Sequence, residues 1–218
     1  MPLHRIDDKI VLFVHIPKTG GSTIEAWLNE LGPRALKYPG KYEGLLTAPQ
    51  HFHAALLERI VPADFYDDAF CIVRDPFERI LSEYRWRYRR RDALPTGLAT
   101  FLPGKVEEEK RAHHFRNWVR KHFARARRDP LTRGNHIRPQ SDFLDVAKCR
   151  VYRFEDGFES IIADLAERWG VPRPEGGFHM NATKKTPVQV DLRTRRMIDD
   201  FYAKDFDLLG YTKSVDRG

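Results

Sequence analysis

Between His15 and Thr23 the chain reads HIPKTGGST. Two adjacent glycines, Gly20 and Gly21, let backbone N–H groups come close to a ligand, and clustered N–H groups bind anions. Lys18 adds a mobile positive charge, and Thr19, Ser22 and Thr23 add hydroxyls. An apolar run from Lys9 to Ile16 precedes the segment, and Ile24, Trp27, Leu28 and Leu31 follow it at helical spacing. The segment therefore lies where a strand hands over to a helix, and a helix N-terminus carries partial positive charge and unbonded N–H groups. Its chemistry is that of a phosphate cradle. It is not a Walker A loop, in which the lysine follows the last glycine. An ordinary turn with a Ser or Thr cap is the competing reading. A cap needs one hydroxyl, however, and here a lysine, two glycines and three hydroxyls coincide.

A second segment, Val73 to Ser82, reads VRDPFERILS. Pro76 suits a first helical turn, with Asp75 as the cap. Arg74 then lies at the carboxyl end of the preceding strand, the edge at which open α/β sheets bind ligands. Ser82 follows Arg74 by eight residues, about 12 Å of helical rise. The plainer alternative pairs Arg74 with Asp75 or Glu78 and leaves Ser82 exposed.

A third candidate is Gln50-His51-Phe52-His53. Histidine titrates near neutral pH and is the commonest general base. In an extended stretch the rings of His51 and His53 face the same side, and either could serve. The alternative is one surface and one structural histidine. A metal pair would need further ligands, and none is evident. His15 reads as structural, and His113-His114 as surface or acceptor-binding.

The elements that must position these groups follow from periodicity. The apolar runs Lys9–Ile16 and Ala69–Val73 read as buried strands, and Cys149–Phe154 reads as a third strand. Helical stripes follow each: Ile24 to Leu31, ended by Gly32-Pro33; Phe77, Ile80, Leu81, Tyr84 and Tyr88; and Phe158, Ile161, Ile162, Leu165 and Trp169, ended by Gly170. Ile198, Phe201 and Tyr202 mark a last helix. Repeated strand–helix order predicts an α/β fold with a parallel sheet flanked by helices.

The first two segments together resemble the sulfotransferases that use 3′-phosphoadenosine 5′-phosphosulfate (PAPS). FVHIPKTGGST is similar to their 5′-phosphosulfate loop, and VRDPFERILSEY to their 3′-phosphate segment. The form P-K-T-G-G-[ST] is most similar to the carbohydrate branch, which includes the heparan and dermatan sulfate 2-O-sulfotransferases. Arg138-Pro139-Gln140, Tyr152 to Asp156, and Asp205-Phe206 with Gly210-Tyr211 fit less specifically. The resemblance implies a single domain over residues 1–218, of three-layer, P-loop-like form with a central parallel sheet. It implies transfer of a sulfuryl group from PAPS to a carbohydrate or glycoconjugate hydroxyl, with 3′,5′-ADP as product and no metal required. Lys18 would contact the transferring group and the bridging oxygen. Thr19, Gly20, Gly21, Ser22 and Thr23 would hold the 5′-phosphate, and Arg74 and Ser82 the 3′-phosphate. His51-Phe52-His53 resembles the H-G-H segment of the 2-O-sulfotransferases, in which the second histidine is the base. That maps to His53, with Phe52 standing where those enzymes carry glycine. A loop near His179 to Lys185 would close over the nucleotide, bringing Lys184 and Lys185 to the 3′-phosphate. Gln140 and Ser141 would add a donor or acceptor contact.

Composition sets the outer limits. The 218 residues are 41% hydrophobic and 32% charged, a globular balance, with no apolar run of membrane-spanning length. The expectation is a soluble, cytoplasmic protein. Cys71 and Cys149 lie in apolar runs and read as buried free thiols, too few for a disulfide framework. The net charge of +7 is concentrated. Residues 85–138 hold 16 basic and 5 acidic side chains, against 22 and 26 elsewhere. This stretch reads as a basic helical insertion, either a solvated face or a surface for an acidic acceptor. Nucleic acid is disfavoured, since no zinc-finger spacing or aromatic ribonucleoprotein signature is present. The alternatives to a sulfotransferase are a non-catalytic polyanion-binding module and another nucleotide-dependent transferase.

Overall fold

Val11, Leu12, Phe13 and Val14 are all fully buried, so this run must be covered on both faces. In a computed structural model, which describes residues 1–37, 44, 45, 47–92, 104–174 and 188–217, it forms strand β2 (Lys9–Val14). Parallel to β2 runs β4 (Asp68–Val73), with Val11 opposite Asp68 and Val14 opposite Cys71. All six residues of β4 are buried. Strand β5 (Cys149–Arg153) extends the parallel part beyond β4.

On the other side the sheet turns antiparallel. β1 (Leu3–Ile6) pairs with β2 through a tight turn at Asp7, whose φ is +52°, and β3 (Arg34–Ala35) pairs with β1. The order is β3-β1-β2-β4-β5. The expected parallel sheet is therefore correct for β2, β4 and β5 but incomplete, because the sheet is mixed. LHRI shows no strand signal of its own: two of its four residues are polar, yet His4 is fully buried. Burial without protonation explains this, since desolvation pushes the pKa of His4 down to about 4. A second correction concerns Cys149. It is half-buried, because β5 is an edge strand, whereas Cys71 on β4 is buried; both thiols are free.

Helices α1 (Gly21–Leu31) and α5 (Phe158–Trp169) cover one face of this sheet. Ile24, Trp27 and Leu28 from α1 and Ile161, Leu165 and Trp169 from α5 meet Val11, Phe13, Phe70 and Ile72 in one core. The short helix α2 (Ala54–Leu57) follows a 3-10 turn at Pro49–His51. Asp68 ties β4 to the end of α5. Its carboxylate accepts from Arg168 Nε at 2.6 Å, Arg168 Nη2 at 2.8 Å and Trp169 Nε1 at 2.9 Å.

The chain divides into two compact units, Met1–Arg74 with Leu131–Asn181, which holds the sheet, and Asp75–Pro130 with Ala182–Gly218. The second contains α3 (Pro76–Asp92), α4 (Gly104–Arg128), α6 (Leu192–Phe201) and α7 (Ala203–Leu209). Asp75 caps α3 as its spacing predicts, accepting from the N–H of Glu78 at 2.9 Å. The basic stretch falls largely on α3 and α4. α4 buries Phe115, Val119 and Phe123, and Phe123 stacks on Phe201 of α6 with centroids 4.0 Å apart. Several arginines are structural: Arg79 is buried over the Tyr202 ring, Arg116 pairs with Asp191 at 3.3 Å, and Arg127 lies over Phe201. No helix among the described residues is long and apolar enough to cross a membrane.

Asp68 gives a stability prediction. Burial pushes its carboxyl pKa up, but the hydrogen bonds from Arg168 and Trp169 outweigh burial and hold it below the ordinary value. Asp68→Asn leaves a buried indole N–H poorly satisfied and is expected to cost about 1–3 kcal/mol in urea denaturation at neutral pH. A lowered native pKa contributes stability above the unfolded-state pKa and loses it as pH falls through the native one. The gap between wild type and variant therefore narrows in acid. A gap that stays constant into the acid range would remove Asp68 from this role.

Candidate functional site

The loop after β2 is shaped by its own backbone before it meets any ligand. Ile16 N–H bonds to Val14 O at 3.0 Å, and the Thr19 hydroxyl donates to Ile16 O at 2.9 Å. Thr19 is fully buried, so its hydroxyl braces the loop. Lys18 sits at φ +70°, in the left-handed region, which costs a non-glycine residue about 1–2 kcal/mol. Strain of this kind persists where the surroundings over-determine it. Ser22 is exposed on the first turn of α1, and Thr23 is half-buried with its N–H on Gly20 O at 3.0 Å. No side chain caps α1.

The two glycines are each required for a separate reason. Gly20, the residue before α1, has φ +85°, and a Cβ there would lie 2.2 Å from the Phe158 ring. Gly21 has an ordinary φ, but its Cβ would lie 2.2 Å from His15 Nε2. The His15 ring cannot easily yield. It stacks on Phe13, and its Nδ1 lies 2.8 Å from Glu25 Oε1. Glu25 also pairs with Lys37. Although burial pushes the Glu25 pKa up, its bonds to His15 and Lys37 pull it down to about 2. Burial keeps His15 neutral. A carboxylate can only accept, so His15 carries its proton on Nδ1 and turns a bare Nε2 toward Gly21.

Arg74 arrives from the end of β4. Its guanidinium lies 4.3 Å over the Phe154 ring, and its Nη1 is 3.4 Å from Lys18 O. Gln140 fixes its backbone from both sides: Arg74 N–H donates to Gln140 Oε1 at 2.9 Å, and Gln140 Nε2 donates to Arg74 O at 2.7 Å. Gln140 is fully buried, so it acts as a brace for the strand end. Ser82 lies on α3, half-buried, in the second compact unit. Lys184 and Lys185 lie outside the described residues.

The H-x-H stretch is not extended, because Pro49–His51 forms a 3-10 turn. The two histidines therefore differ. His51 is buried, with Nδ1 3.3 Å from His15 O and Nε2 3.3 Å from Gln50 Nε2. A carbonyl accepts and an amide NH₂ donates, so both ring nitrogens are used. Desolvation holds its pKa well below the ordinary value. Asn135, fully buried and at φ +65°, donates to His51 O at 2.8 Å. His51 also meets His15 and His136 edge-on at 4.9 Å. His53, two residues on, precedes α2, is half-buried and lines a cavity. Its Nδ1 has no hydrogen-bond partner among the described residues. Burial first, and then the nearby charge of Arg138, lower its pKa, with Asp142 opposing. It is a neutral imidazole at neutral pH, suited to accepting a proton.

Asn135 and the pairing of Gln140 with Arg74 are the features that sequence reasoning missed. They act on residues 84 and 66 positions away, respectively, and the one local signal is the Gly134-Asn135 turn. Among the described residues, no cluster of His, Cys, Asp or Glu has metal-holding geometry. The first compact unit thus brings a strained lysine, an uncapped helix start and an arginine to one loop, with a neutral histidine hung from the same strand end. Such a loop can hold an anion, and such a histidine can take a proton. A family model described as "Sulfotransferase family" matches residues 3–212. Comparison with curated proteins and with solved structures finds no significant match.

Gly21→Ala tests the loop. Overpacking against a fixed ring commonly costs about 1–3 kcal/mol. Removing the ring in the double variant His15→Ala/Gly21→Ala should recover part of that loss, with a coupling of about 0.5–3 kcal/mol by denaturant unfolding. Strict additivity would show that His15 does not dictate the glycine.

Proposed function

The chain belongs to the sulfotransferase family, and on that premise we propose that it moves the sulfuryl group of PAPS onto a hydroxyl of a carbohydrate or glycoconjugate, on a three-layer, P-loop-like scaffold. The observation that carries this reading is the 3.4 Å approach of Arg74 to the carbonyl of Lys18. It joins the two segments that would take the two phosphate groups of one donor. The N–H groups at the start of α1, with the Ser22 and Thr23 hydroxyls, take the 5′-phosphate. Arg74 and Ser82 take the 3′-phosphate, the group that separates this donor from ATP. Lys184 and Lys185 are assigned to the same phosphate.

Sulfuryl transfer is an in-line displacement like phosphoryl transfer. The acceptor oxygen bonds to sulfur as the bond from sulfur to the bridging oxygen breaks, and 3′,5′-ADP leaves with that electron pair. Lys18 meets the charge that develops on the bridging oxygen, a contact whose loss commonly costs about 10²–10³ in rate. His53 takes the acceptor proton. His51, with both nitrogens engaged, is assigned to positioning: it anchors the stretch to His15 O and so sets where His53 stands.

Calorimetric titration tests the donor site. 3′,5′-ADP should bind at least tenfold more tightly than 5′-AMP or magnesium-ATP, about 1.4 kcal/mol, and Arg74→Ala should erase that preference. A preference for magnesium-ATP would overturn the reading. His53→Ala should keep nucleotide affinity and lose about 10²–10⁴ in kcat. The lowered pKa fixes the pH dependence as well. His53 is active when neutral, so wild-type kcat should hold through neutral pH and fall only below the ordinary histidine range, with no such limb in His53→Ala.

A further inference from the structure

His53 opens onto a cavity of about 400 Å³, within the usual range for small-molecule sites. Leu45, Phe52, Leu56, Ile60 and Leu131 supply most of its wall. Leu45 and Ile60 are 47% and 51% exposed, so apolar surface stands open to solvent there. His53 and Thr47 add polar residues to this wall, although Nδ1 of His53 and Oγ1 of Thr47 are themselves buried away from the opening. Arg59 is the one charged residue among the described lining residues.

We propose that this cavity is the acceptor subsite, and that the acceptor carries an apolar group beside the reacting hydroxyl. The hydrocarbon fills the wall between Leu45 and Leu131, and the reacting hydroxyl stands at the His53 ring. This rests on the reading of His53 as the base. It narrows the acceptor from any carbohydrate to an amphipathic one, and it takes the acidic glycan out of this subsite. The apolar group can be the aglycone of a glycoside or the body of a free alcohol; the chemistry of the cavity is the same.

The test uses the whole chain and a homologous series of methyl, butyl, hexyl and octyl β-D-glucosides, each below its micelle concentration. 1-Octanol and a uronic-acid oligosaccharide are run beside them, with binding followed by protein-detected NMR. Affinity should rise about fourfold per methylene until the cavity is filled. Octyl glucoside binding more tightly than octanol identifies an aglycone; octanol binding as tightly identifies a free alcohol. Ile60→Asp, at a half-exposed position, should weaken octyl glucoside at least tenfold. Ala55→Trp, also at an exposed position on the lining, should do the same by filling the space. Both should leave 3′,5′-ADP affinity unchanged. A flat series, or the oligosaccharide displacing the same resonances more strongly than octyl glucoside, would overturn the proposal while leaving the donor site intact. A steep series in a protein that does not bind 3′,5′-ADP would keep the apolar site and sink the sulfuryl-transfer reading instead.

Discussion

The contact of the His15 ring with Gly21 is the constraint on which the rest of the site depends. The ring is fixed on three sides, by Phe13, Glu25 and His51. The loop passes over it only because residue 21 has no side chain. On the neighbouring residue, Phe158 enforces the same condition at Gly20. Glycine pairs at phosphate loops are usually explained from the ligand side, by the need for backbone to approach an anion. Here the requirement also comes from the fold: two rings press the loop into shape at the start of a helix that no side chain caps.

His15 links the loop to the second half of the site. Its side chain supports Gly21, and its backbone carbonyl receives His51. The glycine loop and the H-x-H stretch are therefore registered on one residue at the end of β2. Asn135 closes the arrangement by holding the carbonyl of His51, and Arg138 in turn bonds Asn135 Oδ1 at 3.0 Å. Arg138 also adds to burial, the larger cause, in lowering the His53 pKa.

Much of this was legible in the sequence where the signal was local. The run KIVLFV, the stop at Gly170, the Asp75 cap and the glycine pair each announce themselves within a few residues, because strand burial, helix ends and turns are decided by near neighbours. What escaped was decided at a distance. β1 is a strand because β2 and β3 flank it, not because LHRI favours one. His51 and His53 look equivalent as a motif. They part only because Pro49 starts a 3-10 turn and because His15 O and Asn135 wait for one of them. Gln140 reads as a donor or acceptor contact, and its bracing of the strand end appears only when its amide lies along the backbone of Arg74. Cys149 differs from Cys71 solely through strand order.

The position of Phe158 has a consequence for biogenesis. The glycine pair leaves the ribosome more than 130 residues before the aromatic residues that support Gly20 and stack under Arg74, Phe158 and Phe154, which come from the third strand–helix unit. Contacts so distant in sequence form late, after the entropy of closing a long loop has been overcome. A nascent chain that has displayed the entire HIPKTGGST segment therefore still lacks the floor that gives it form. The shape of this loop is completed only when α5 docks.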